Sequence, residues 1–396
     1  MLVLVANLGS TSFKYRLFDM TNESCLARGS VDRIGEQQSR CVVEVGDWRD
    51  ERVMPVPDHG VAVEACLSQL TDPDHGAIHD PGQVAAIGFK AVHGGRLSGI
   101  FPIDDNVLEA MAEMNLAAPA HNPPYIAAMK LLRQRFPELP LVAAFETDFH
   151  STIPDSRRQY AIPRQWANEF HIRKYGFHGA SHRFIGTRAA ELLERDDLRV
   201  ISCHLGGSSS LTAIQSGESV LTTMGMTPQT GLPQNNRVGD FDPFAIPLII
   251  DRTGLSLAEV LAKLASEGGL LGLSDRSGDI RDIEQGAAEG DANCRLALDT
   301  YVQEIRRHVG GALIAMGGAD AIVFTGGIGE NGADIRAAVC GGLEELGIVL
   351  DSGANEQLSG EASFHDAASR TQLWVIPTNE ELIVARQTVE ALEGSG

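Results

Sequence analysis

Lysine is scarce in this chain: five occur in 396 residues, against 53 acidic side chains, and the net charge is −21. A polyanion therefore meets no broad basic surface, which argues against nucleic acid or an anionic membrane as partner. Any phosphate site has to draw on local arginines, backbone amides and a metal ion. Cysteine is sparse too, scattered over positions 25, 41, 66, 203, 294 and 340 with no CxxC pair. Reduced thiols in a cytoplasmic protein are the simplest reading of that pattern. No apolar run approaches transmembrane length. Met1–Ala6 is apolar but has no basic leader and stops at Asn7, so it reads as a buried strand. The P-loop signature GxxxxGK[ST] is missing, and so is HExxH.

What is present is glycine, 42 residues of it, concentrated in turns. Two stretches repeat one design at roughly half-chain spacing: LVLVANLGSTSF at 2–13 and VISCHLGGSSSL at 200–211. In each, an apolar strand runs through Asn7-Leu8-Gly9 or His204-Leu205-Gly206 into small hydroxyl residues and then resumes. Such a turn lets backbone N–H groups and hydroxyls face an anion, although one alone would pass for an ordinary hairpin. The pair predicts two related α/β lobes, each offering a phosphate-facing hairpin to a cleft between them.

The apolar periodicity predicts helices over 61–70, 106–116, 126–136, 181–194, 244–251, 256–266, 291–316 and 333–346. Strands are expected at 2–6, 13–18, 41–45, 52–56, 84–92, 141–145, 321–324 and 373–376. The first lobe then spans 1–150. Residues 219–243 carry many glycines and prolines and read as one long loop. Thr378 and Glu381 form a capping box, with Thr378 as N-cap of the last helix.

Four motifs carry chemistry. Gly327-Ile328-Gly329-Glu330-Asn331-Gly332 matches GxGxxG after a strand, with Asp351 downstream. An NAD-dependent dehydrogenase is one reading of it. The other lets adenine or ribose approach the backbone at a helix start, and the motif's late position favours that one. His178 and His182 are four apart, but Gly179 follows His178 at once. That puts His178 in the loop as a hydrogen-bond donor to substrate and His182 in the helix as a structural residue; a zinc pair is the weaker alternative. Ser208–Ser210 lack the GxSxG elbow of a nucleophile and read as phosphate-facing hydroxyls or plain turn residues. Arg237 sits in a glycine-rich loop, either paired with Asp240 or Asp242 or serving as an anion clamp.

With those residues assembled, the chain resembles the acetokinase (acetate kinase) family of the actin/sugar-kinase/Hsp70 superfold. The likeness runs nearly end to end. It rests on HGG at 93–95, HNPP at 121–124, RKYGFHGASH at 173–182, CHLG at 203–206, MGMTP at 224–228, GIGEN at 327–331 and PTNEEL at 377–382. The resemblance implies a duplicated actin-like fold: residues 1–150 and 381–396 in the acyl-substrate lobe, 151–380 in the nucleotide lobe. It implies phosphoryl transfer from Mg-ATP to acetate or another short-chain carboxylate such as propionate, reversibly, by a homodimer. A nucleotide-binding relative with an altered, weakly active site is the alternative.

By the same resemblance Arg237, His178, Glu146, Lys90 and His121 are catalytic, and Asn7 and Glu380 hold Mg²⁺. The nucleotide falls to His204, Leu205, Gly206, Gly207, Ser208, Asp279, Ile280, Arg281, Gly327, Ile328, Gly329, Glu330 and Asn331. Val92, Ala120, Phe177 and Pro228 form the pocket for the alkyl end. The chain departs from the family pattern at five places. Phe89-Lys90 replaces His-Arg, Glu146 an aspartate, Gly207-Ser208 Asn-Gly, Gln234-Asn235-Asn236 a Met-Gly-Thr run, and Ala120 a leucine. The last predicts room for an acid longer than acetate.

Overall fold

The computed structural model describes residues 1–119 and 121–394, so Ala120 lies outside the described residues. The chain divides into two units, Met1–Asp148 with Asn379–Gly396, and Phe149–Thr378.

In the first unit the strands are β1 (Leu2–Leu8), β2 (Ser12–Asp19), β3 (Ser24–Asp32), β4 (Ser39–Val45), β5 (Trp48–Met54), β6 (Val84–Ala91), β7 (Ile100–Pro102) and β8 (Leu141–Phe145). They form one sheet in the order β5-β4-β3-β2-β1-β6-β8-β7. The turn of the β1–β2 hairpin is closed by Gly9 N–H donating to Ser12 O at 2.8 Å. β1, β6 and β8 run parallel and are almost wholly buried, as expected of strands covered on both faces. Helices His59–Leu70 and Asn122–Arg135 contribute to one core with Leu4, Phe13, Leu17, Ile87 and Phe89.

The closing helix Glu380–Glu393 packs on β1, β6, β7 and β8. Its approach is close: a Cβ on Gly88 would collide with Thr388 Oγ1. Overpacking of this kind costs about 1–3 kcal/mol. Gly88→Ala is therefore expected to lower the denaturant midpoint without changing the m-value; an unchanged midpoint would show that the helix can retreat.

In the second unit the strands are β9 (Arg199–His204), β10 (Ser210–Gln215), β11 (Glu218–Thr222), β12 (Ala321–Thr325), β13 (Ala362–Ser363) and β14 (Gln372–Val375). Their order is β11-β10-β9-β12-β14-β13. All six have counterparts in the first unit, β13 lying antiparallel to β14 as β7 lies to β8. β11-β10-β9 are antiparallel like β3-β2-β1, and β9-β12-β14 are parallel like β1-β6-β8. The two hairpins singled out in the sequence are thus the same element of a duplicated sheet. The long helix Ala292–Met316 packs across β9 and β10 and shares its core with Ile201, Leu211 and Phe324. Ser209 Oγ, wholly buried, lies 2.9 Å from Tyr301 OH on that helix and pins the second hairpin's turn.

Several boundaries differ from expectation. The supposed loop 219–243 begins with β11, and β3 had not been anticipated. Residues 333–346 are not one helix: Ala333–Cys340 ends before Gly341, and Glu344–Leu346 is a separate 3₁₀ turn. The last helix is capped by Asn379, whose side chain accepts from Leu382 N–H at 3.3 Å, and not by Thr378. Among the described residues no helix is long and apolar enough to cross a membrane.

Candidate active site

In the first unit the polar groups gather where parallel strands end, the usual place for ligands in α/β sheets. Asn7 stands near the end of β1, Lys90 near the end of β6, Glu146 directly after β8, and Glu380 opens the closing helix. Lys90 Nζ lies 2.5 Å from Glu380 Oε2 and 3.9 Å from Glu146 Oε1. Burial alone would pull the Lys90 pKa down; the attraction of Glu380 and then Glu146 outweighs it and raises it. Tyr125 OH donates to Asn7 Oδ1 and accepts from Leu8 N–H, both at 3.0 Å. Burial pushes that phenol up to about 12, so it stays a neutral donor.

The HGG and HNPP motifs lock together here. Asn122 Nδ2 donates to His93 O at 2.8 Å and to Met111 O at 2.7 Å, and His93 Nδ1 accepts from Gly95 N–H at 3.0 Å. His121 is the N-cap of the helix that Asn122 begins, and Val92 sits half-buried just after β6. A residue that sequence reasoning passed over is Lys14. It pairs in register with Asn7 and lines, with Asn7, Arg16, Arg28 and Ser30, a cavity of about 300 Å³.

In the second unit two groups form. His178 adopts a left-handed conformation (φ 56°, ψ 29°) as N-cap of the helix Gly179–Leu193. Its ring stacks on His204 with centroids 4.3 Å apart. His204 Nδ1 lies 2.8 Å from Ser181 Oγ. His182 is wholly buried between Ser202 and Ser210, as its structural reading required. His150, also missed in the sequence, bonds Ser219 Oγ and Phe177 O at 2.9 Å each. Burial lowers its pKa to about 4. It acts as a neutral brace behind Phe177, itself buried.

The second group surrounds a cavity of about 410 Å³ lined by Gly206, Gly207, Asn235, Asp279, Ile280, Arg281, Glu284, Gly327, Ile328, Asn331 and Gly332. Asp279 caps the helix Ile280–Ala288 and grips the Arg281 guanidinium, whose hydrogen bonds hold its carboxyl at about 2. The glycine run forms the short helix Gly326–Asn331 directly after β12, so it lacks the tight turn before a long helix that a dinucleotide fingerprint needs. Leu205, Gly329 and Glu330 stand behind the wall. Leu205 O accepts from Ile328 and Gly329 N–H, and Glu330 Oε1 accepts from Gly326 N–H. Asn235 Oδ1 is buried at this cavity with no hydrogen-bond partner among the described residues. Such an acceptor fits a ligand that brings its own N–H or O–H.

Arg237 reaches back to the same loop. Its Nη1 donates to Ser208 Oγ at 3.3 Å and to Gln234 Oε1 at 3.2 Å. Gln234, wholly buried, also accepts from Ser208 Oγ at 2.7 Å and donates to the carbonyl of buried Pro228 at 2.7 Å. Neither carboxylate suspected from the sequence is its partner. Asp240 pairs with Arg307, and Asp242 accepts from Phe244 N–H. Burial lowers the Arg237 pKa, since a guanidinium held by neutral oxygens has no counter-charge.

Parallel strands ending in charged side chains in the first unit, and in the second a glycine-walled cavity on the loop of an arginine with no carboxylate partner among the described residues, fit a phosphotransferase of the duplicated actin-like kind. The acetokinase family model matches residues 2–386, and the chain belongs to that family. It is 43% identical over 394 residues to an acetate kinase of Clostridium botulinum, covering 98% of this chain and 99% of that one. An acetate kinase of Shouchella clausii is 42% identical over 390 residues, covering 98% of each. Among solved structures, the Porphyromonas gingivalis acetate kinase superposes with a TM-score of 0.90 at 36% identity over 99% of both chains. A propionate kinase of Francisella tularensis does so at 0.89, with 34% identity over 98% of both. The family's reaction is the reversible phosphorylation of acetate by ATP.

Gly327 gives the cavity a direct test. A Cβ there meets nothing within 4 Å and would project into open space at the cavity wall. Gly327→Val is expected to weaken ATP binding at least about tenfold, the loss of one good contact surface, with the melting temperature unmoved. Equal ATP affinity by calorimetry would place the nucleotide elsewhere.

Proposed function

We propose that this protein transfers the terminal phosphoryl group of Mg-ATP to a short-chain carboxylate, acetate or propionate, and catalyses the reverse reaction. The observation that carries this reading is Arg237: a half-buried guanidinium without a carboxylate partner among the described residues, on a loop that also walls the glycine-lined cavity. A buried charge left uncompensated is costly, and a phosphoryl anion would compensate it.

Transfer to a carboxylate needs no protein nucleophile, because the acceptor is already anionic. It needs in-line positioning and charge stabilisation around three equatorial oxygens. In our reading Arg237, His178 and His204 act on the transferring phosphoryl group, Gly206, Gly207 and Ser208 on the phosphate chain, and Asp279, Ile280, Arg281, Gly327, Ile328 and Asn331 on adenosine. Gly329 and Glu330 support that wall from behind. Lys90, with Glu146, positions the acceptor carboxylate, and His121 lines the path of the phosphoryl group. We assign Val92 of the first unit, and Phe177 and Pro228 of the second, to the acceptor's alkyl end.

Asn7 and Glu380 would hold the magnesium ion, which neutralises phosphate charge. Their oxygens suit it: one amide and one carboxylate are what an ion arriving with its phosphates and waters requires. Lys90 bonds the same Glu380 and has to share it. We assign Lys14, in register with Asn7, to the same phosphates.

We further propose a cytoplasmic homodimer. Helices Ala245–Thr253 and Leu257–Ser266 expose Phe244, Leu248, Leu257 and Leu261, an apolar face suited to a second copy. The test of function is hydroxamate trapping of the acyl phosphate with acetate, propionate and butyrate, each with ATP, GTP or pyrophosphate. Propionate is expected to serve at least as well as acetate, with ATP as donor. Failure of every acid to yield hydroxamate would overturn the reading.

A further inference from the structure

The helix Gly179–Leu193 and the β9–β10 hairpin carry a continuous line of hydroxyls and imidazoles. Ser202 Oγ lies 2.8 Å from His182 Nδ1, His182 Nε2 lies 2.8 Å from Ser210 Oγ, and Ser210 Oγ lies 2.8 Å from His178 Nδ1. Ser202, His182 and Ser210 are wholly buried. Each hydroxyl has one proton to give, and each neutral imidazole gives at one nitrogen and accepts at the other. With each ring neutral and the Ser210 proton spent within the line, it runs in one of two directions.

If it runs from His178 inward, His178 Nδ1–H donates to Ser210, Ser210 to His182 Nε2, and His182 Nδ1–H to Ser202. The Ser202 hydroxyl proton is then stranded, because Ser202 Oγ has no other partner among the described residues. Burying a donor unmade is the expensive error in a hydrogen-bonded network. If it runs outward, Ser202 donates to His182 Nδ1, His182 Nε2–H to Ser210, and Ser210 to His178 Nδ1. Every proton in the line then has an acceptor.

We propose that Ser202, His182 and Ser210 are positioning residues that fix neutral His178 with its proton on Nε2, making it a hydrogen-bond donor to the transferring phosphoryl oxygens. A second argument agrees. The reverse direction would turn a nitrogen lone pair of His178 toward an anion. The neighbouring pair follows the same rule: Ser181 Oγ has His204 Nδ1 as its one partner among the described residues, so it donates there and puts the His204 proton on Nε2. The αL backbone of His178 and its stacking on His204 hold the ring plane, and the hydroxyl line selects the tautomer.

The proposal rests on the reading that His178 faces the phosphoryl group, and its test separates the two. Full-length protein labelled with ¹⁵N-histidine is expected to show His178 and His182 as neutral rings with Nδ1 unprotonated and Nε2 protonated. Ser210→Ala is expected to leave His178 in a mixture of tautomers. In the same variant kcat should fall about tenfold with KM for ATP unchanged, and Ser210→Thr, which keeps the hydroxyl, should restore both. A His178 ring protonated on Nδ1, or an unaltered tautomer in Ser210→Ala, overturns the proposal. An unchanged kcat in His178→Ala with the expected tautomers overturns instead the reading that His178 meets phosphoryl.

Discussion

Replacing Arg237 with alanine is expected to lower kcat by about a hundred- to a thousandfold, the usual loss on removing one preorganised charge aimed at a transition state. KM for ATP should move by less than about threefold, because an interaction made chiefly in the transition state contributes little to ground-state binding. The melting temperature should hold or rise. The guanidinium is half-buried without a counter-ion among the described residues, so its removal relieves a cost, and Ser208 and Gln234 still satisfy each other at 2.7 Å. This combination, lost turnover with retained stability, separates a catalytic arginine from a structural one. A large fall in stability with kcat intact would reverse the assignment.

The second large effect is expected at Lys90. Nζ is the cation between Glu380 at 2.5 Å and Glu146 at 3.9 Å. Removing one partner of such a buried group typically costs about 3–5 kcal/mol, because the other charges stay behind. Lys90→Ala should therefore be both less active and less stable than the parent, and added Mg²⁺ should stabilise the variant more than it stabilises the parent. The sign of the pH dependence follows from the raised lysine pKa. A raised pKa gives stabilisation that is fully present below the ordinary lysine value of about 10.4 and lost only as pH climbs past it. The stability difference between parent and Lys90→Ala should therefore be flat across neutral pH as far as the lysine is concerned. Lys90→Arg keeps the charge and adds a planar fork, so it should retain stability and raise kcat if Glu146 allows the fork to reach the substrate. A double-mutant cycle with Glu146→Asp reads that coupling; zero coupling would separate two groups that the geometry places together.

The sequence announced the fold through two strand–glycine–hydroxyl stretches, and these are β1–β2 and β9–β10 of a duplicated sheet. They were legible because the same design, an apolar run broken by Asn-Leu-Gly or His-Leu-Gly, recurs at roughly half-chain spacing. Strand β3, SCLARGSVD, was invisible because only two of its nine residues are buried and its alternation is broken by polar side chains. The helix Ile280–Ala288 escaped notice because only three of its nine residues are buried, and two of those are the small Gly286 and Ala287. Thr378 looked like a better N-cap than Asn379, since a capping box is read three residues ahead; the chain enters one residue later and Asn379 does the work.

Site residues divide by how much of their role is local. His178 before Gly179 is a local signal, and the structure puts it in the left-handed cap that such a residue can occupy. Lys14, His150 and Asn235 have no local signal, because each acquires its meaning from a partner that only the fold supplies: Asn7 across a hairpin, Ser219, and the glycine wall of the cavity. Gln234 was legible only as a departure from the family's pattern. Its part in the Arg237 cradle required seeing Ser208 and Pro228 on either side of its amide.

Phosphorus NMR of the protein with Mg-ATP and acetate tests the central claim most directly. The account predicts an acyl phosphate resonance growing in step with ADP, abolished on this timescale by Arg237→Ala. ADP appearing with inorganic phosphate from the outset, at a rate indifferent to acetate, would contradict it.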